Sequence, residues 1–186
     1  MHILNHFFIP FALILIGFAI YFSEPETAVT RLSFAVLLAA FALNVLINRN
    51  TYRFMRWIRA LRVGLVWLNL LTAAVLFYLL GGYWAPMWLL FTMPSAAGAM
   101  FMTRAGTALT AVAAAALMMA IYLFRGARFA LIADPGITTY AEALRQVLAT
   151  GQVWGQAAIH ALFIVVFALF VQAMSEMVVK MRDSMR

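Results

Sequence analysis

Three histidines, twelve methionines and no cysteine bound the chemistry open to this 186-residue chain. Without cysteine there is no disulfide, no iron–sulfur ligand, no thiolate zinc site and no thiol nucleophile. His160 is the candidate for holding a cofactor. A neutral imidazole in an apolar segment can ligate haem or chlorophyll, carry a proton, or hydrogen-bond a hydroxyl or carbonyl of a neighbouring helix. No second ligand accompanies it, so the cofactor is unknown and none is required. His2 and His6, four residues apart, would share a helical face and could bind a metal ion. They lie at the start of the chain with no nearby carboxylate to orient the rings, so no metal site is assigned. Met93, Met100, Met102, Met118 and Met119 lack the methionine–histidine grouping of a copper site and read as adaptable core filling. Gly-x-Ser-x-Gly, His-Glu-x-x-His, phosphate-loop and paired-carboxylate patterns are absent. No catalytic residue is assigned, and the chain is read as a non-enzyme.

The elements that position these groups follow from composition. The chain is 67% hydrophobic and 10% charged, with mean hydropathy +0.98, where a soluble domain carries roughly 25% charged residues. It reads as an all-α polytopic membrane bundle in one domain, placed in a bacterial inner membrane. At about 20 residues per crossing the length allows six spans. They are expected at about 3–22, 30–48, 62–80, 87–102, 106–124 and 152–172, with 173–186 as an exit helix. The first span lacks a basic leader and a small-residue cleavage site and is read as a mature helix. Segment 87–102 is short and carries Pro94 before Ser95, Ala96, Ala97 and Gly98. The alternative is therefore five spans plus a re-entrant segment. Residues 125–151 are expected to form a long loop. Within it, Thr139 and Glu142 match a capping box, Tyr140, Leu144, Val147 and Leu148 make an apolar stripe, and Gly151 supplies a C-cap, which together predict a short surface helix.

Arg49, Arg53, Arg56, Arg59 and Arg62 fall in one stretch that contains no acid. Arginine is held on the cytoplasmic side, so this stretch sets the orientation. Six spans put both termini inside, with Arg49, Arg53, Arg56, Arg59, Arg62, Arg104, Lys180, Arg182 and Arg186 cytoplasmic. Arg31, Arg125, Arg128 and Arg145 then lie outside, together with Tyr21, Tyr78, Tyr83, Trp84, Trp88, Tyr122 and Trp154 as an aromatic belt. The arginine stretch is read as an interfacial platform for anionic headgroups or a docking partner, and the net charge of +7 as topological, with no nucleic-acid role. Asn44, Asn48, Asn69 and Gln172 fall near the same ends of their spans, where amides join helices through hydrogen bonds. No acid lies inside a span to couple ion movement, which leaves a small transporter as the least supported class.

In the tail, Val171, Met174, Val178, Met181 and Met185 repeat at three and four residues, the seam of a two-stranded coiled coil. That pattern predicts a helical partner, either a second copy or another membrane subunit. Residues 82–91, then Met93-Pro94-Ser95-Ala96-Ala97-Gly98 and Thr103-Arg104-Ala105-Gly106, followed by this exit helix, resemble the six-span input domains of bacterial sensor histidine kinases and membrane diguanylate cyclases. The resemblance implies a signal-transduction input module. Those families carry a catalytic domain after the exit helix, and neither a phosphoacceptor histidine box nor a nucleotide-binding motif occurs here. The alternative is an accessory subunit of a larger respiratory or photosynthetic membrane complex, with His160 as a pigment contact.

Overall fold

The computed structural model describes the backbone of residues 2–50, 58–134 and 136–184, and the side chains of these except 2–7, 48, 50, 58 and 59. All regular structure among them is helical. Helix α1 is His2–Ser23, α2 Thr27–Asn50 and α3 Ile58–Leu80. A 3-10 segment, Ala85–Phe91, runs into α4, Thr92–Ala99. Helix α5 is Arg104–Ala133, α6 Tyr140–Thr150 and α7 Gln152–Ser184. Four stretches, Thr27–Ile47, Ala60–Leu80, Arg104–Ala133 and Gln152–Ser184, are long and apolar enough to cross a membrane. Leu38, Leu109, Ile159 and Leu162 stand out from them as exposed apolar side chains, a surface that water disfavours and lipid accepts. The fold thus suggests a membrane protein.

The bundle has two chemically distinct ends. At one, Ser23 donates to the carbonyl of Tyr83 at 2.7 Å, Arg125 donates to the carbonyl of Phe77 at 3.4 Å, and Arg128 donates to the Tyr78 hydroxyl at 3.1 Å. This is the aromatic end. At the other lie Arg49, Arg62 and Arg104, with Lys180 and Arg182 further along α7. The chain leaves α3 at the aromatic end through Gly81-Gly82. A Cβ on Gly81 would sit 2.6 Å from the Phe77 carbonyl oxygen, and one on Gly82 would overlap the Arg125 guanidinium. At Gly81, where the neighbour is backbone, only glycine permits that approach; at Gly82 a side chain would displace the Arg125 guanidinium.

Segment 85–99 replaces the continuous fourth helix expected from sequence. It begins beside Trp84, whose ring stacks 5.9 Å from Phe18 at the end of α1. It finishes near Gly98, where a Cβ would lie 3.8 Å from Val66 and 3.7 Å from Thr110 Oγ1, at the opposite end. Seven 3-10 residues and eight α residues extend roughly 26 Å, close to the ~30 Å of a hydrocarbon core. The break has a local cause. Pro94 lacks the N–H that would bond back to the preceding turn, whereas Pro86 stands in the first turn of the 3-10 segment, where a missing N–H removes no helical bond. Met87, Leu90 and Phe91 are fully buried, and Phe77 meets Phe91 edge-on at 5.6 Å.

The long loop also differs from expectation. Helix α5 continues to Ala133, leaving 134–139 as the connection. Arg125 and Arg128 bond back to α3, so they lengthen the helix instead of ending it. Helix α6 has the expected capping box of Thr139 and Glu142 and a left-handed C-cap at Gly151, φ 68°. Its buried face is Ala143 and Val147, while Tyr140 and Leu148 are exposed. The face turns because Val147 packs on Gly126, where a Cβ would be 3.2 Å away. The exit helix is continuous with the last span as α7, on the order of 50 Å long.

Glu142 accepts from the Thr139 and Thr138 amides at 3.3 and 3.4 Å. Its carboxyl is held below the ordinary value of 4.5, first by hydrogen bonding with the Thr139 side chain and then by these two amides. A depressed carboxyl pKa contributes stability above the unfolded value and loses it as pH falls through the folded one. The Thr139 amide resonance of the reconstituted protein should therefore titrate with a midpoint below 4.5, and be flat in Glu142→Gln; a midpoint at or above 4.5 would refute the cap.

Across α2 and α3, Asn44 Nδ2 donates to Asn69 Oδ1 at 3.0 Å, both side chains fully buried. Asn44→Leu strands the Asn69 amide and should cost about 1–2 kcal/mol, read by steric trapping in bicelles. Asn44→Leu with Asn69→Leu should recover most of the loss. A double variant as unstable as the sum of the singles would show that the amides do not bond.

Candidate functional site

His160 enters its site from α7 and meets the 3-10 segment. Its ring stacks on Trp88, centroids 4.4 Å apart and planes at 12°. Nδ1 lies 3.3 Å from the Tyr122 hydroxyl of α5. Phe163, one turn on, meets Trp88 edge-on at 5.4 Å, and Tyr122 leans on Phe77 at 5.1 Å. One face and one nitrogen of the imidazole are thus engaged by protein, and a hydroxyl partner on a neighbouring helix is present. Ring stacking of this kind adds about 0.5–1.5 kcal/mol beyond area burial. Arg125 is half-buried one turn beyond Tyr122, among Tyr78, Tyr83 and Tyr122. Among the described residues no group of three His, Asp or Glu side chains could hold a metal ion.

The other end of α7 is held by polar groups. Thr107 donates to Gln172 Oε1 at 2.7 Å, inside the bundle. Gln172 donates onward to Glu176 at 3.1 Å, and Arg104 grips both Glu176 oxygens, Nε to Oε1 at 2.6 Å and Nη2 to Oε2. The paired geometry is that of the fork-on-carboxylate contact. Thr103 positions Arg104 by capping α5, accepting from the Gly106 amide at 3.2 Å.

Alongside and past this clamp the seam is largely bare. Met174, Val178 and Met181 are 45%, 63% and 53% exposed, and Val171 is half-buried. On a helix of 100° per residue, their mean direction lies about 100° from that of the buried Ile164, Ala168 and Gln172. The seam therefore lies to one side of the packed face, and from Met177 onward α7 is exposed all round.

Of the arginine stretch, Arg49 is exposed and Arg62 half-buried at the end of the bundle. Arg53, Arg56 and the side chain of Arg59 lie outside the described residues, as do Met185, Arg186 and the side chains of His2, His6 and Asn48. The structure brings Asn44 to Asn69 and Gln172 to Thr107, as expected of span-end amides. The Trp88, Tyr122 and Glu176 partnerships were not anticipated, since nothing local in sequence marks them. No protein-family model, curated protein or solved structure matches the chain.

Removing the clamp should free the lower part of α7. A spin label at Val178 should gain mobility in Thr107→Val with Arg104→Gln. An unchanged line shape would show that these bonds do not hold the helix.

Proposed function

We propose that the chain is a non-catalytic input module of a bacterial inner membrane. It crosses six times with both ends cytoplasmic, and it signals by pairing its exit helix with that of a second copy. The observation that carries this reading is that one unbroken helix, α7, bears both the aromatic-end contact at His160 and the exposed seam residues Met174, Val178 and Met181. A perturbation at the Trp88–His160–Tyr122 group would turn or slide α7, and a coiled-coil seam reads such movements as a change of register. The resemblance to six-span sensor inputs supports the same role. Orientation is supported by the basic residues at the end opposite the aromatic belt. Segment 85–99 counts as a crossing because its two ends contact opposite ends of the bundle. The partners are a second copy and a bilayer with anionic headgroups, and no cofactor is required.

Single cysteines at Met174 and Met181 should crosslink between copies in membranes more strongly than cysteines at Met177 and Val179, which lie off the seam. Trp88→Ala should alter the ratio between the two seam sites. Equal crosslinking at all four positions would sink the seam. Absence of self-crosslinks with co-purification of other membrane subunits would favour the accessory-subunit alternative.

A further inference from the structure

A groove of about 660 Å³ opens between α3 and α5 at the arginine end, lined by Arg62, Val63, Trp67, Phe101, Gly106 and Leu109 among others. Both helices begin at that end, so the groove runs from Arg62 toward the middle of the bundle. Its mouth is cationic and its depth apolar: Trp67 lies about 7 Å further along α3 than Arg62, and Leu109 of α5 is 66% exposed beside it. Arg62 Nε is buried and has no hydrogen-bond partner among the described residues. A buried donor without an acceptor is costly, more so on a charged group; Nε itself is closed to the groove, an anion there would meet the rest of the guanidinium, and among the described residues no acid lines the groove.

We propose that this groove is a discrete site for one anionic phospholipid, with its phosphate on Arg62 and an acyl chain along Trp67 and Leu109. The charge order of the groove, cation at the membrane boundary and hydrocarbon toward the centre, is the complement of such a lipid. A free phosphate would pair with the guanidinium but leave the apolar walls unfilled. A second copy of the chain, whose net charge is +7, brings no excess of acids to Arg62. The site rests on the membrane reading and is independent of seam pairing. It differs from general attraction of arginines to anionic headgroups in being saturable by a single molecule.

Trp67 reports occupancy directly. The full chain is reconstituted in phosphatidylcholine nanodiscs with increasing phosphatidylglycerol, either lipid being brominated on its acyl chains. The part of tryptophan quenching that Trp67→Phe removes is then followed. Half-quenching by brominated phosphatidylglycerol should occur at about five-fold lower mole fraction than by brominated phosphatidylcholine. Arg62→Gln should abolish this preference, and Arg62→Lys, which keeps the charge, should retain most of it. Equal half-quenching by both lipids, or an unchanged preference in Arg62→Gln, overturns the site. Displacement by millimolar inorganic phosphate or glycerol phosphate would assign it to a soluble anion instead. Loss of all quenching by either lipid would refute the membrane reading itself.

Discussion

In a bilayer core a backbone N–H or C=O that loses its helical partner finds no water to replace it, so irregular backbone is tolerated only inside protein. Segment 85–99 meets that constraint at the centre of this fold. Pro94 removes a donor, and the 3-10 turns bond with poorer geometry. Hydroxyls supply added donors: Thr92 to the Leu89 carbonyl at 2.6 Å and Ser95 to the Phe91 carbonyl at 2.9 Å. Helices α1, α3, α5 and α7 all pack against the segment, and Met87, Leu90 and Phe91 are wholly buried while Trp88 is half-buried. The surrounding helices cover one side of this irregular stretch and leave Ala85 exposed.

Much of this order was legible in the chain. Long apolar runs separated by Ser23-Glu24-Pro25-Glu26 and by Gly81-Gly82 mark helix ends by elementary backbone chemistry. The Thr139–Glu142 box is a purely local device, and it forms where its spacing says. What was not legible depended on distant partners. Arg125 ends a hydrophobic run and so reads as the start of a loop, yet its guanidinium reaches the Phe77 carbonyl, and α5 continues through it. Segment 87–102 reads as a span by composition, and its proline content alone does not say which turns become 3-10.

The site divides in the same way. His160 stands out because a titratable group in an apolar run is rare. Its partners Trp88 and Tyr122 are ordinary aromatic residues of other segments, indistinguishable in sequence from interfacial anchors. Gln172 was legible as a helix-joining amide, but Thr107 as its acceptor-seeking partner was not, since threonine is common in such helices. Arg62 belongs to a conspicuous basic stretch, where its charge reads as topological. Only the arrangement of Val63, Trp67 and Leu109 beside it turns one arginine of the set into a distinct binding position.

The two anchors of α7 constrain how it can move. His160 and Gln172 are twelve residues apart, about 18 Å along the axis and about 120° around it. One is fixed by ring stacking on the 3-10 segment, the other by a buried hydrogen bond to α5. Because they grip different faces, no rotation of a rigid α7 preserves both. A shift of the helix must release the stack, the amide bond, or each in turn, and packed contacts of these kinds are made or lost in discrete steps. The seam is carried on the same rod, from Val171 to Met181. Its direction is therefore tied to both anchors, and any other setting of the helix would have to give up at least one of them.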